Sequence, residues 1–279
     1  MAAVQNTHRS RPLALVAGAV LVGLVVLAAL VSFVWTPHDP LLVEASARLL
    51  GPTGDYVLGT DKFGRDLASQ LMVGARTTLY VGVVAVGIAA VIGTPLGILA
   101  GMSRNWLGEF VMRAGDLVLA FPALLLAIMF GAVYGASTLT AMIAIGIATI
   151  PSFARIARSG TLQVMSTEYV LAARASGRSR LFIAGRHVLP NISGLVVVQS
   201  SVSFAIAVLS EAALSFLGFG TAPPTPSWGR MLQESQELLA VQPRLALVPG
   251  IAIAIAVLGF NLLGDGLRDR FDPKLEVRR

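Results

Sequence analysis

The chain has 279 residues, 55% hydrophobic and 13% charged, where a soluble domain carries about 25% charge, so the deficit points to a polytopic membrane protein. Net charge is +6, but the basic residues sit in short segments between apolar blocks rather than on one patch, which argues against nucleic acid as a partner. With no cysteine, and with His8, His38 and His187 far apart, disulfides, thiolate metal sites and iron–sulfur clusters are excluded and no histidine metal site is suggested.

Residues 1–12 form a polar tail with His8, Arg9 and Arg11. Residues 13–35 carry no charge and, at about 1.5 Å per residue, cross a hydrocarbon core of about 30 Å. That run exceeds the roughly 7–15 apolar residues of a cleaved signal peptide and ends in Trp35, so it reads as a retained first span. Residues 36–77 are polar and contain Pro37, Pro40 and Pro52. Gly59 and Gly64 have the spacing of a phosphate-binding loop, but Arg65 and Asp66 stand where that loop needs Lys and Ser/Thr. The segment therefore holds no nucleotide site. Asp61 and Asp66 sit beside Lys62 and Arg65, pairs worth little in water.

Residues 78–103 read as the second span. Ala85, Ala89, Gly93, Gly97 and Gly101 recur every fourth position and give one face that admits a neighbouring backbone, within the chain or on a partner. Pro95 permits a kink there. A short turn over 104–113 leads to a third span at 114–134, with Pro122 inside and Asp116 near its start, expected at the interface and paired with Arg113 one turn earlier. A tight turn at 135–137 precedes the fourth span, 138–154, which contains Pro151.

Residues 155–191 form the one long basic connector, with Arg155, Arg158, Arg174, Arg178, Arg180, Arg186 and His187 against Glu168 alone. Thr167 and Glu168 suit a helix start, as cap and as charge opposing the dipole. Gly177 suits a left-handed helix end, Ser179 a second cap, and Pro190 a stop. The expected shape is helix, glycine turn, helix, outside the bilayer.

The fifth span covers 192–217 and contains Glu211. A carboxylate at that depth must face protein or water, either as a pathway or gate residue or as a buried structural acid. The run from Pro223 to Pro226 cannot lie inside a helix, and Trp228 beside it suits an interfacial anchor. Residues 230–240 show helical apolar spacing, and 245–264 form the sixth span, with Gly264 and Gly266 expected to end it before a polar tail at 265–279. Six spans put both termini on one side. That side carries 15 Lys and Arg against 6 on the other, so both termini and the basic connector are expected in the cytoplasm.

Four stretches carry a family resemblance. Ala172-Ala173-x-x-x-Gly177, followed by Leu189-Pro190, resembles the EAA loop of ABC-importer permeases, although Leu171 stands where the family motif opens with an acid and the nearest acid is Glu168. Gly59-Thr-Asp-x-x-Gly-Arg-Asp66 is similar to the segment after the first span in dipeptide, oligopeptide and nickel permeases. So are Glu211 to Gly220 with Pro223 to Gly229, and the ending Asn261 to Asp269 with Asp272-Pro-Lys.

The resemblance implies an all-α polytopic membrane protein with six transmembrane helices and the type I ABC importer permease fold, of the dipeptide/oligopeptide C-type. Its core is expected at 78–264, with the coupling loop at 155–191 and an outer loop at 218–244. It implies a second, B-type permease subunit, one or two ABC ATPase subunits that hold ATP and magnesium, an extracytoplasmic peptide-binding protein and a bacterial plasma membrane. The chain itself is expected to bind no cofactor or metal and to catalyse nothing. Residues implied to engage the ATPase are Glu168, Ala172, Ala173, Arg174, Gly177, Arg178, Leu189 and Pro190. Glu211 and Asp116 are pathway or gate candidates, and Asp61, Arg65, Asp66, Pro226 and Trp228 are binding-protein docking candidates. Nickel complexes and haem are alternative cargoes within the same architecture. An ion-coupled carrier and a non-transporting scaffold are alternatives outside it, weakened by the lack of a clear internal repeat and by the near isolation of Glu211.

Overall fold

Apolar runs separated by capped turns produce a chain of helices in this computed structural model, which describes residues 11–103 and 106–271. Residues 1–10 and 272–279 of the two expected tails, and 104–105 of the expected turn, lie outside the described residues. In order the helices are α1 (Arg11–Ser32), α2 (Leu67–Met102), α3 (Trp106–Ala120), α4 (Ala123–Tyr134), α5 (Thr138–Met165), α6 (Glu168–Ala175), α7 (Arg180–Ile183), α8 (Leu189–Phe216), α9 (Trp228–Ser235) and α10 (Arg244–Phe271). Among the described residues, five helical segments are long and apolar enough to cross a membrane, and α3 with α4 gives a sixth if the bent pair counts as one span.

Helix α2 begins eleven residues before the expected 78, because Asp66 caps it at Leu67. The Asp66 carboxylate accepts the backbone N–H of Ala68 at 3.3 Å and of Ser69 at 3.0 Å. The small-residue face of α2 packs inside the chain, against α5. A Cβ on Gly93 would stand 2.5 Å from the carbonyl oxygen of Ile150, and one on Gly101 would stand 2.7 Å from the Cβ of Thr161. Gly97 lies equally close to Ala154. This is the close backbone approach that holds helices together where lipid removes the hydrophobic drive between them.

The third span differs from expectation. Helix α3 already starts at Trp106, and α3 and α4 are bent by 81° at the break between them. Pro122 causes the break: it has no N–H for the helix ladder, and its ring forces Phe121 out of the helical region. The end of α10 differs too. Gly264 and Gly266 do not end the helix, which runs on to Phe271. Gly266 instead lets α1 approach, since a Cβ there would lie 2.7 Å from the Cα of Leu15. Phe204 of α8 and Phe260 of α10 stack at 4.0 Å in the core shared by α1, α2, α8, α9 and α10.

Candidate coupling loop and transport pathway

The basic connector folds as two short helices around a glycine. Gly177 has φ +73°, a left-handed conformation that a Cβ would strain. Its N–H donates to the Arg174 carbonyl at 3.0 Å, and the Arg178 N–H donates to the Ala173 carbonyl at 3.1 Å. These two bonds close α6 in a Schellman motif. Ser179 caps α7 by accepting the Phe182 N–H at 3.2 Å, as its position predicts. Thr167 stands at the start of α6, but its hydroxyl donates back to the Val164 carbonyl at 2.6 Å and caps nothing.

Pro190 does not stop the second helix. The chain passes from α7 through a π turn at Ala184–Val188 directly into α8, with Pro190 in the first turn of α8. A π turn widens the coil where the proline has no N–H to offer and its ring crowds the carbonyl four residues back. The connector is thus rigidly continuous with a membrane span.

Val170, Ile183, Val188 and Ile192 are fully buried against Ile98, Met102, Ala157, Val164 and Met165, toward the C-terminal ends of α2 and α5. That cluster roots the loop. Its opposite side is open: Glu168, Ala172, Arg174, Gly177, Arg178, Leu189 and Pro190 are exposed, and Ala173 is half-buried. Leu171 and Leu181, at 51% and 83% exposure, add an apolar patch between the arginines. No ion pair among the described residues uses Glu168, Arg174 or Arg178; Arg178 lies 4.9 Å over the Phe182 ring. Apolar surface rimmed by unpaired charge is the composition of a protein-binding patch.

Asp116 is not paired with Arg113. Arg113 lies 3.6 Å from Glu109, and Asp116 accepts from Arg155 of α5 at 2.9 Å. Both members of that pair are more than half exposed. The partner sits 39 residues away on another helix, so no local spacing announces it. Glu211 is enclosed by the chain, with one carboxyl oxygen bonded and the other, Oε2, buried without a partner among the described residues. It is 1% exposed, accepts the Ser215 hydroxyl at 2.7 Å and the Thr221 hydroxyl at 3.3 Å, and lines no open surface. Its carboxyl ties α8 to the loop that follows it.

The segment between α1 and α2 is a structured cap. Asp61 accepts the backbone N–H of Phe63 and Arg65 and the side chains of Arg65 and Gln70. Arg65 also binds Glu234, which pairs with Arg230 at 2.9 Å, and Lys62 reaches Glu237 at 3.0 Å. These contacts strap residues 61–65 to α9 and to the turn at 236–238 that follows it. Asp61 and Asp66 are 7% and 2% exposed, so both carboxylates are taken up inside the segment. Trp228 is also buried, at 2% exposure, and donates its indole N–H to the Leu71 carbonyl at 2.9 Å; it is a core residue and not an interfacial anchor. Pro226 is buried beside it and accepts from Thr77 at 3.0 Å.

Residues 93–277 match the family described as binding-protein-dependent transport system inner membrane component. The chain is 40% identical, over 94% of its length and 86% of the relative, to the dipeptide transport system permease protein DppC of Alkalihalophilus pseudofirmus. It is 40% identical to the di/tripeptide transport system permease protein DppC of Pseudomonas aeruginosa, covering 86% of this chain and 81% of that one. It is 41% identical to the glutathione transport system permease protein GsiD of Pectobacterium atrosepticum, covering 81% and 75%. A chain of the MetNI methionine ABC transporter, solved in inward-facing conformations, superposes with a TM-score of 0.62 at 18% identity over 73% of this chain and 96% of that one, which establishes the shared type I importer permease fold. By the family match over residues 93–277 and these relatives, the chain belongs to the family of binding-protein-dependent transport system inner membrane components, the permeases of ABC importers.

Proposed function

We propose that this chain is one permease subunit of an ATP-driven importer of short peptides, lying in a bacterial plasma membrane with both termini in the cytoplasm. The observation that carries the cargo is 40% identity, across 94% of the chain, to a relative named for dipeptide transport. The other relatives are named for di/tripeptide and for glutathione, which is itself a short peptide. The orientation rests on the 15 to 6 bias of Lys and Arg.

The partners in this reading are a second, homologous permease, one or two ABC ATPase subunits that bind ATP and magnesium, and an extracytoplasmic peptide-binding protein. The ATPases grip α6 and the Gly177 turn through Leu171, Arg174 and Arg178. Their closure displaces that knob, and the unbroken path from α7 into α8 carries the displacement through the membrane as a rigid-body shift. The binding protein docks on the cap formed by 36–66 and α9, which Arg65 and Glu234 hold together.

The test is to purify the tagged chain in mild detergent, identify the ligand on the co-purified binding protein, and follow uptake of labelled dipeptide by vesicles that contain the complex. A peptide ligand and uptake that stops on ATP depletion are expected. A nickel chelate or haem as ligand, or uptake that follows the proton gradient and ignores ATP, overturns the reading.

A further inference from the structure

Arg76 is a cation at the edge of the lipid that this chain does not neutralise. The apolar stretch Leu13–Ser32 is 20 residues long, about 30 Å at about 1.5 Å per residue, which matches the thickness of a hydrocarbon core. Ser32 therefore ends the first span at one face of that core. The Arg76 Nε donates to the Ser32 hydroxyl at 2.5 Å, so the guanidinium lies at the same level. Phe33 lies 4.1 Å from the guanidinium and covers one of its faces. No ion pair among the described residues uses Arg76, whereas Lys62, Arg65 and Arg230 on the same side are all paired. Where the dielectric falls from that of water, an uncompensated charge holds an anion more strongly than it does in open solvent.

Arg76 opens on a recess of about 360 Å³ between the end of α1, the first turns of α2 and the loop before α9. Pro40, Leu41, Val73, Pro224 and Pro226 make its walls apolar. Arg76 is the charged group that lines it, and no acid among the described residues does. Thr225 adds an exposed hydroxyl that has no partner among the described residues. Next to Ser32, the side chains of Phe33, Val34 and Trp35 are all more than half exposed and form an apolar collar at this depth.

Depth and charge together define the occupant. The anion available at the edge of the hydrocarbon is the phosphate diester of a phospholipid, and a guanidinium's parallel N–H groups match two phosphate oxygens. A phosphatidylethanolamine head brings an ammonium that finds no carboxylate in the recess. A phosphatidylglycerol head brings a neutral glycerol, which the Thr225 hydroxyl can bond. We propose that the recess is a binding site for an anionic glycerophospholipid of the phosphatidylglycerol class. Arg76 takes the phosphate, Thr225 takes the head glycerol, and Phe33, Val34 and Trp35 lie along the upper acyl chains. The lipid ties the end of α1 to α2 and to the loop before α9, elements that share no charge with one another at this point. With the orientation proposed above, this is the outer leaflet.

The experiment places the assembled complex in nanodiscs of equal parts phosphatidylglycerol and phosphatidylethanolamine, with a benzophenone side chain in place of Leu41, which lines the recess. Radiolabelled phosphatidylglycerol is expected to be trapped about tenfold more than radiolabelled phosphatidylethanolamine. Arg76→Gln is expected to abolish that preference, and Arg76→Lys, which keeps the charge without the paired N–H groups, to recover part of it. Arg48→Gln removes an exposed arginine of the same segment that does not line the recess, and is expected to leave the preference unchanged. Thr225→Trp fills the recess from an exposed position and leaves Arg76 in place, and is also expected to abolish the preference. Equal trapping of the two lipids by the unaltered chain overturns the site. So does a preference that survives Arg76→Gln or, if that variant does not assemble, Thr225→Trp. Excess inorganic phosphate is expected to leave the trapping as it is; if it abolishes trapping, the recess holds free phosphate and the lipid assignment falls. A benzophenone that links to the second permease in place of lipid also overturns the site, because that subunit then covers Arg76. None of these outcomes depends on which cargo the complex carries.

Discussion

A Cβ on Gly93 would stand 2.5 Å from the carbonyl oxygen of Ile150, so α2 and α5 touch backbone to backbone at this point. Gly93→Val forces the two longest-packed spans apart. Overpacking costs about 1–3 kcal/mol, and the upper part of that range applies because a carbonyl cannot swing aside as a side chain does. The expected outcome is a lower unfolding temperature of the purified chain in detergent. Gly87, on the same helix, has open space around its Cβ position, so Gly87→Val is expected to leave the melting temperature nearly unchanged. Equal shifts for both variants would mean that the seam is not what holds the pair.

At Gly177 the constraint is of another kind. No atom lies within 4 Å of the Cβ position, but φ is +73°, and a β-branched side chain pays about 1–2 kcal/mol there. The rest of the fold has no stake in that turn, which projects from the buried Val170 and Ile183 anchors. Gly177→Val is therefore expected to reach the membrane at normal levels and to lose ATP-driven uptake. Gly177→Asn, which tolerates the left-handed region, is expected to recover part of it. Normal uptake by the valine variant, with assembly intact, would remove the coupling role from this turn.

The parts of this architecture that were legible in the sequence are those written in local chemistry. Apolar runs with at most one charge marked the spans, Gly177 and Ser179 marked the connector's turn and cap, and four-residue spacing marked the α2 seam. What stayed hidden depends on distance in the chain. Asp116 finds Arg155 and Arg65 finds Glu234 on elements 39 and 169 positions away, where no spacing rule applies. Local rules also misled where packing overrides them. Pro190 sits in a continuous helix because a π turn absorbs it, Gly264 and Gly266 serve a close helix approach instead of a stop, and Trp228 is buried because Gly74 leaves room for its ring. The 81° break of α3 from α4 follows from Pro122, whose presence was plain, but the angle is a tertiary outcome.

Asp66 caps the longest helix and is nearly buried while doing so. Beyond the N–H groups of Ala68 and Ser69, it accepts the Ser69 hydroxyl at 2.5 Å. Asp66→Ala leaves those donors without acceptors and is expected to cost about 1–2 kcal/mol, the usual loss for a removed cap. Amide exchange at residues 67–70 should rise first, because the first turn frays before the span. Asp66→Asn retains an acceptor oxygen and is expected to keep most of the protection.

Arg65 holds the cap to α9 through two carboxylates, Asp61 and Glu234, whose side chains are 11% and 17% exposed. Arg65→Met removes the cation that Asp61 and Glu234 share, leaving Glu234 with Arg230 and Asp61 with neutral donors only. Breaking a pair this far from water costs about 3–5 kcal/mol. Residues 36–66 are therefore expected to become more sensitive to protease added from outside, while α2 and α5 keep their protection. Glu234 keeps its pair with Arg230 at 2.9 Å, so adding Glu234→Gln to Arg65→Met is expected to weaken the strap further.

The absence of cysteine makes the orientation directly measurable, since any introduced thiol is unique. Ser176 ends α6 and is exposed, and Thr53 is exposed in the outer cap. Neither side chain supports the core, so single Ser176→Cys and Thr53→Cys variants are expected to fold normally. A membrane-impermeant maleimide added to intact cells is expected to label the Thr53→Cys chain and to spare the Ser176→Cys chain until the membrane is opened. The reasoning is electrostatic: translocating the connector would carry six arginines between 155 and 186 across the bilayer against the positive-inside bias. Labelling of the Ser176→Cys chain in intact cells would put the connector outside, where no ATPase could reach it, and the coupling scheme would fall with it.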